Sequence, residues 1–177
     1  MKKRVLFCLP VLLCFFSASA QFDKGDKLLN LGIGVNSYYN GGLPLSASFE
    51  VGVTDEISVG AGLDYLNYTY NYNFSGTNFK YGFTAIYIGA RGSYHFSKLL
   101  NLNVKELDIY GGASLGFRNF AWKDNFNGSN LGGSYGSGVF FGIHVGARYY
   151  FVPKVGAFLE VGAGGSGNAR VGVAFRF

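Results

Sequence analysis

Apolar and polar side chains alternate one by one through most of this sequence. Near its start, Leu29, Leu31, Ile33 and Val35 alternate with asparagines and glycines, and the chain finishes in VGVAFRF with the same period of two. Such a period is typical of a β-strand whose two faces meet different surroundings. The pattern therefore predicts a chain built from strands with one apolar face and one small or polar face.

Turn-forming sequences separate eight such segments. The predicted strands cover 29–35, 45–53, 57–65, 79–96, 109–118, 141–150, 157–163 and 170–177. Most of them approach the 9–11 residues that a tilted strand needs to cross a bilayer, and eight is the smallest common strand number of a membrane barrel. In the fourth segment the apolar residues change parity near Thr84, so we expect a β-bulge there.

Composition narrows the fold class. Only 14% of residues are charged and 18% are aromatic, whereas typical soluble domains are about 25% charged. Beyond the N-terminal segment, no apolar run reaches the roughly 18 residues of a transmembrane helix. Because only helices and closed barrels satisfy their backbone hydrogen bonds in lipid, the sequence predicts an all-β fold, an eight-stranded antiparallel up-and-down transmembrane β-barrel.

The first twenty residues have the organisation of a secretory signal peptide. A basic start is followed by an apolar run from Val5 to Phe16, and Ala18-Ser19-Ala20 fits a cleavage site. We expect residues 1–20 to be removed and residues 21–177 to form one barrel domain. The alternative, a short membrane anchor, is disfavoured because the run is short for a bilayer.

Processing would also change the chemistry of the chain. Both cysteines, Cys8 and Cys14, would be lost, so the mature chain would have neither disulfides nor thiolate metal sites. Loss of three basic residues would lower the net charge from +5 to +2, which leaves no basic surface for nucleic acid. We expect no cofactor and no metal.

The lengths of the connections between strands distinguish the two ends of the predicted barrel. The outer connections are predicted at 37–42, 67–78, 122–138 and 164–168, and the periplasmic ones at 54–56, 97–106 and 152–154. Longer outer loops are usual for outer-membrane barrels. Aromatic side chains cluster near both ends, where they predict interfacial belts. The outer belt would comprise Tyr38, Tyr39, Tyr65, Tyr68, Tyr70, Tyr72, Phe74, Phe79, Tyr81, Phe117, Phe120 and Trp122. The inner belt would comprise Tyr94, Phe96, Tyr149, Phe151, Phe175 and Phe177.

The chain resembles a known class of proteins in several segments. IGARGSYHF (88–96), DIYGGASLGF (108–117) and GAFLEVGAG (156–164) are similar to the small eight-stranded outer-membrane barrels of the OmpX and OmpA-barrel type, the "outer membrane protein beta-barrel domain" family. The resemblance implies a Gram-negative outer membrane and contact with its lipid. It also implies that the barrel-assembly machinery recognises the last strand through an assembly signal, Val171, Val173, Phe175 and Phe177.

Charged residues are predicted on the inward faces of the strands. This interior charge network would comprise Glu50, Asp64, Arg91, Arg148, Glu160 and Arg170, with Arg118 and His144 as additional inward groups. An eight-stranded barrel is only wide enough for side chains to fill it, and an unpaired buried charge is costly. We therefore expect a salt-bridged plug; the alternative is a narrow polar pathway for protons or small solutes.

Three functions remain open on the sequence alone. The first is a structural or surface-interaction role, in which the outer loops bind a surface ligand in adhesion or support envelope integrity. The second is transport of small or apolar solutes. The third is a lipid-modifying enzyme, for which His95 near Ser97 and the inward His144 are the candidate bases. Since His95 falls at the periplasmic end and His144 has no serine two residues on, we expect no catalytic residues and no enzyme.

Overall fold

The computed structural model describes residues 22–39, 41–74, 77–124 and 136–177. The predicted signal peptide, with Cys8 and Cys14, lies outside these ranges, as do residues 125–135 of the predicted loop 122–138. The described residues form eight strands. They are β1 (Lys27–Ser37), β2 (Leu45–Gly52), β3 (Ile57–Phe74), β4 (Thr77–His95), β5 (Leu107–Asp124), β6 (Gly138–Val152), β7 (Val155–Ala163) and β8 (Gly167–Arg176). Within these ranges no helix is long and apolar enough to cross a membrane.

Each strand pairs antiparallel with its neighbours in sequence, and β8 pairs with β1 to close the barrel. At the closing seam Leu31 lies opposite Val173, and Lys27 and Phe177 exchange two backbone hydrogen bonds of 3.2 and 3.0 Å. Closure leaves no sheet edge within the barrel wall, which is what a sheet in lipid requires. The predicted eight-stranded antiparallel barrel is therefore confirmed.

Alternate residues of each strand face outward and inward, as the period of two predicts. Apolar side chains remain exposed on the outer face, for example Ile88 (59% exposed) and Leu115 (58%), although their strand neighbours are small or buried. In water such a continuous apolar band would be unfavourable, whereas lipid is a suitable solvent for it. The inward positions carry glycine, serine and the charged residues described below.

Three strands continue beyond the rest of the barrel at the end that is predicted to be the outer one. The first β2–β3 pair is Leu45 with Tyr65, and the last β5–β6 pair is Arg118 with Gly138. Beyond these positions β4 remains paired with β5 up to Tyr81, opposite Asp124, and with β3 up to Thr77, opposite Phe74. The prediction of a loop at 67–78 is therefore wrong, because most of this stretch forms a regular β3–β4 hairpin.

The expected bulge near Thr84 is also absent. The registers of β4 with β3 and with β5 run through Thr84 without a shift. The apolar residues change parity there because the surroundings change: Tyr65 is outward and exposed, whereas the next residue, Leu66, is inward and fully buried. On the outward face above this level, Asn67 and Thr84 form a 2.8 Å hydrogen bond between their side chains. Above Tyr65 the outward face of these strands is therefore polar, which suits water rather than lipid. Their apolar side chains lie on the inward face, where they form a small core.

That small core, which we call the outer cluster, lies on the inner face of the extended strands. Its buried members are Leu66, Phe83, Ala85, Tyr87 and Phe120, with Tyr39, Tyr68, Trp122 and Phe140 packed against them. The rings of Phe83 and Phe120 stack with centroids 5.0 Å apart. Four residues assigned to the outer belt, Tyr39, Tyr68, Phe120 and Trp122, therefore belong to this core instead.

Other members of the two predicted belts do lie outward. Tyr65 and Phe117 are exposed near the outer ends of their strands. At the opposite end, the rings of Tyr94 and Phe96 form one contact pair and those of Tyr149 and Phe151 another. The side chains of Tyr72, Phe74, Phe79 and Tyr81 lie outside the described part of the structure.

The long connection between β4 and β5, which is predicted to be periplasmic, is a closed turn. Asn101 has a φ of 48°, and the amide of Leu102 donates to the carbonyl of Ser97 at 3.1 Å. Lys98 links this turn to the β2–β3 turn through Asp55, at 3.1 Å. The hydrogen bond from the Lys98 ammonium lowers the pKa of the Asp55 carboxyl below its usual value.

Candidate functional site

The six residues predicted for the interior charge network come from six different strands. Glu50 lies on β2, Asp64 on β3, Arg91 on β4, Arg148 on β6, Glu160 on β7 and Arg170 on β8. All occupy inward positions, and all but Arg170 are buried. The structure brings all six into one connected set of ion pairs, which we call the lumen network.

Arg91 crosses the lumen and joins two carboxylates. Its Nε donates to Glu50 Oε1 at 2.8 Å, and its Nη2 donates to Glu160 Oε2 at 2.6 Å. A second bond runs from Nη1 to Glu160 Oε1 at 3.3 Å, so the contact with Glu160 is bidentate. A guanidinium suits this position because its donors diverge in a fixed plane.

Arg148 is the most enclosed member of the network, with no exposed surface. It donates from Nη1 to Asp108 Oδ2 at 2.8 Å and from Nε to Asn30 Oδ1 at 3.1 Å, and its Nη2 lies 3.5 Å from Glu50 Oε1. The guanidinium carbon lies 3.8 Å from the centre of the Tyr110 ring. These contacts compensate for the large desolvation cost of a buried charge.

Arg170 connects the network to its outer part. Its Nη1 donates to Glu160 Oε1 at 2.8 Å, and its Nη2 donates to Asp64 Oδ2 at 2.6 Å. The hydroxyl of Ser166, in the β7–β8 turn, donates to the same Asp64 oxygen at 2.7 Å. The short outer turn is thereby tied to the charged interior. Arg118, the additional inward base, lies apart and donates to the carbonyl of Gly136 at 3.0 Å.

Sequence reasoning missed several members of this site. Asp108 binds Arg148, the Tyr110 hydroxyl donates to Glu160 Oε2 at 3.1 Å, and the hydroxyls of Ser58 and Ser93 donate to Glu50 Oε2 at 2.8 and 2.6 Å. The alternation of side chains could have identified Asp108 and Tyr110, since both share the inward face of β5 with its glycines and Ser114. The short serine side chains gave no comparable signal, because their inward neighbours are equally small.

Inward glycines make room for the larger side chains. A Cβ built on Gly146 would lie 2.5 Å from the tip of the Tyr110 ring and 3.0 Å from the carbonyl oxygen of Leu159. The glycine therefore allows Tyr110 to lie across β6, where it contacts Arg148. Gly32 has the same relation to Phe158, whose ring would lie 2.7 Å from a Cβ.

A small cavity separates the lumen network from the outer cluster. It has a volume of about 50 Å³, and it is lined by Arg91, Glu160 and Arg170 of the lumen network and by Tyr87 and Phe140 of the outer cluster. This is far below the roughly 300 Å³ at which sites for organic ligands begin. The interior around the lumen network is occupied by its own side chains, since Arg91 is 9% exposed and Arg148 has no exposed surface.

Both candidate catalytic histidines are held inside the barrel. His95 contacts Asp108 and Ser58 rather than Ser97, and His144 Nε2 lies 3.0 Å from the Ser93 hydroxyl. Asp108, His95 and Ser58 have the contact order of a catalytic triad. However, Ser58 has no exposed surface and its hydroxyl donates to Glu50, so no substrate can reach it as a nucleophile. No group of three possible metal ligands occurs among the residues that the structure describes.

The four residues of the predicted assembly signal lie on the last strand. Val171 and Val173 are outward and exposed, opposite Ile33 and Leu31 of β1. Phe175 is half-buried, and Phe177 is 63% exposed at the barrel rim formed by the strand ends near Lys27. Their recognition by the assembly machinery stays a prediction.

Solved structures with the same architecture exist, although no protein-family model and no curated protein matches the chain. The N-terminal β-barrel domain of Pseudomonas aeruginosa OprF is 20% identical with a TM-score of 0.51, covering 89% of this chain and 100% of that one. This chain has the fold of the small outer-membrane β-barrels.

Two further structures extend the comparison. Pseudomonas aeruginosa OprG is 12% identical with a TM-score of 0.58, covering 89% of this chain and 98% of that one. A de novo designed transmembrane β-barrel is 12% identical with a TM-score of 0.52, covering 89% and 99%. Natural and designed barrels thus share this architecture, so the likeness shows the fold and leaves the activity to be argued from the site.

Proposed function

We propose that this protein is an integral outer-membrane barrel whose closed, plugged body displays an outer surface for interaction, in adhesion or in envelope integrity. The observation that carries the proposal is that the barrel has two different parts along its axis, a lumen occupied by ion pairs and a sheet that extends beyond the wall. The lumen is filled by the lumen network, whereas β3, β4 and β5 continue into a sheet beyond the barrel wall. A filled lumen favours a scaffold, and an extended sheet on the outer side favours contact with a surface ligand.

The membrane partner follows from the outward face. Its exposed apolar band and its two levels of aromatic rings suit outer-membrane lipid. Export through the signal peptide 1–20 and insertion through the assembly signal on β8 complete the proposed route to that membrane. No cofactor or nucleic acid has a part in it.

Conductance tests the plugged body. The processed protein, reconstituted in a planar bilayer, is expected to give no steady current, because the ion pairs around Arg91 and Arg148 obstruct the lumen. A steady, ion-selective current would overturn the plug and favour the narrow-pore function instead. The matched variant Arg91→Ser removes the crossing side chain and is expected to raise the conductance relative to wild type.

Shortening the β3–β4 hairpin tests the display function. Thr69 lies opposite Gly82, so an Asn-Gly turn can replace residues 70–81 while Tyr68 and Phe83 of the outer cluster stay in place. Cells bearing the wild type are expected to adhere to immobilised extracellular-matrix proteins or to sugars of a glycan array, and cells bearing the shortened barrel are expected to lose that adhesion. Equal adhesion of both, or adhesion of neither, would contradict the adhesion role. Heat-modifiable gel migration checks that the shortened barrel is folded.

A further inference from the structure

His95 lies inside the barrel with both ring nitrogens engaged. The residue is 2% exposed. Its Nδ1 lies 2.8 Å from Asp108 Oδ1, and its Nε2 lies 3.0 Å from the hydroxyl oxygen of Ser58. Each of these two hydrogen bonds needs one donor. His95 must be that donor wherever its partner, Asp108 or Ser58, has no hydrogen available.

The proton of the Ser58 hydroxyl is already used. Ser58 donates to Glu50 Oε2 at 2.8 Å, and Glu50 is ionised because it binds Arg91. An ionised carboxylate accepts hydrogen bonds and donates none, and a serine hydroxyl has a single proton. The Ser58 oxygen therefore accepts the bond from His95, whose Nε2 must carry a hydrogen.

The other ring nitrogen meets the same requirement. Asp108 is paired with Arg148 through its second oxygen, at 2.8 Å, which keeps it an ionised acceptor. The hydrogen of the 2.8 Å contact with Asp108 consequently belongs to His95 Nδ1. A histidine that donates from both nitrogens is an imidazolium.

The charge balance of the lumen agrees with this assignment. Among the described residues the connected ion pairs contain four carboxylates, Glu50, Asp64, Asp108 and Glu160, but only three guanidinium groups, Arg91, Arg148 and Arg170. Buried charge is best tolerated when it is balanced, and a fourth cation would balance this set. We propose that His95 is held as an imidazolium and is the fourth cation of the lumen network.

The N-terminal residues cover this cation from the periplasmic side. Phe22, itself 2% exposed, stacks on the His95 ring with centroids 3.5 Å apart and planes 5° from parallel. Residues 22–26, here called the N-terminal strap, are fixed by bonds of 2.9 and 2.8 Å that join Gly25 and Asp26 to Gly52. A Cβ on Gly52 would lie 2.7 Å from the Asp23 carbonyl oxygen and 2.9 Å from the Phe22 ring. An aromatic face over a cation is favourable, and the strap shields His95 from water.

The groups around His95 come from several strands. Asp108 on β5 contacts the ring directly, and Glu50 on β2 contacts it through Ser58 on β3. Arg148 on β6 opposes the positive charge from the far side of Asp108, and the ring of Tyr110 is 6.0 Å away. Arg91 on β4 also contacts Glu50, at 2.8 Å, so the negative excess that favours a cation is that of the connected set as a whole, four carboxylates against three guanidinium groups.

His144 is a matched control within the same lumen. Its Nε2 also contacts a serine, Ser93, whose proton is donated to Glu50 at 2.6 Å. Within the described part of the chain, no carboxylate forms an ion pair with His144. The same reasoning therefore assigns His144 a single ring hydrogen, on Nε2, and no charge.

Nitrogen-15 NMR of the processed protein in detergent micelles tests the assignment directly. The sequence has two histidines, so the variant His144→Gln identifies the signals of His95. At pH 7.5 we expect both nitrogens of His95 to show the shifts of an imidazolium, while wild-type His144 shows one protonated and one unprotonated nitrogen. A neutral tautomer of His95 at this pH would overturn the proposal.

Charge compensation gives a second test. His95→Gln leaves four carboxylates facing three guanidinium groups, and adding Asp108→Asn restores the balance. The double variant His95→Gln/Asp108→Asn is expected to unfold in urea about tenfold more slowly than His95→Gln, although it has lost one more charged partner. If the double variant unfolds as fast as His95→Gln or faster, then His95 does not supply the fourth charge.

Discussion

Replacing Arg148 by methionine would remove the most enclosed charge of the lumen. Methionine has a similar length but cannot donate hydrogen bonds. The substitution would eliminate the bonds to Asp108, Asn30 and Glu50 and the contact with the Tyr110 ring. Asp108 would retain its bond to His95, but one buried negative charge would lose its counterpart.

The expected cost is about 3–5 kcal/mol of unfolding free energy, which is typical when one partner of a buried ion pair is removed. We expect the upper part of this range because Arg148 has no exposed surface and makes four separate contacts. Urea unfolding in lipid vesicles measures the change. The fluorescence of Trp122, the only tryptophan of the sequence, reports the transition from within the outer cluster.

Two companion variants define the result. Arg148→Lys keeps the charge but loses the planar fork of donors, so its unfolding free energy is expected to lie between those of methionine and wild type. Lys98→Met removes two exposed ion pairs between the turns, those with Asp55 and Glu56, and is expected to change the unfolding free energy little. If Arg148→Met unfolded within about 1 kcal/mol of wild type, the claim that the lumen network holds the barrel together would be refuted.

Three further outcomes follow from the structure. Leu115→Arg, on the lipid-facing side of β5, is expected to cost about 2–4 kcal/mol in vesicle unfolding. Ala121→Arg, on the same face but opposite Thr84 and beyond the lipid boundary, is expected to cost almost nothing, and equal costs would contradict the boundary. Gly146→Ala is expected to cost about 1–3 kcal/mol in the same assay, because its Cβ meets a buried tyrosine ring and a backbone oxygen, and an unchanged midpoint would contradict this packing. Lys98→Met is expected to raise the pKa of Asp55 towards its usual value, measured by carbon-13 NMR of the carboxyl, and an unchanged titration would show that the pair does not form in solution.

The alternation of side chains was sufficient to predict the barrel and most inward positions. Parity alone placed Glu50 and Arg91 in the lumen, because a strand between lipid and a filled interior has only two kinds of position. Near Thr84 the alternation led to a wrong prediction of a bulge, because the prediction takes the apolar face of a strand to be the lipid-facing one throughout. Beyond the lipid boundary the outside is water, so apolar residues such as Phe83 face inward without any bulge.

The details of the lumen network required three-dimensional structure. The bond from Arg170 to Asp64 joins residues 106 positions apart, and its formation depends on the stagger of the strands around the barrel. The roles of Ser58 and Ser93 depend on which oxygen of Glu50 each hydroxyl reaches. Sequence parity gives the face of a residue but neither its height in the lumen nor the direction of its side chain.

The central claim is that each strand alternates between lipid and a filled lumen. Its most direct test is a nitroxide scan of β4 from Ile86 to Tyr94 in lipid vesicles, with single cysteines introduced into the processed chain, which by prediction has none of its own. Oxygen, which partitions into lipid, is expected to relax the labels at even positions strongly and those at odd positions weakly, with a period of two. A uniform response, or a period near 3.6, would contradict the barrel.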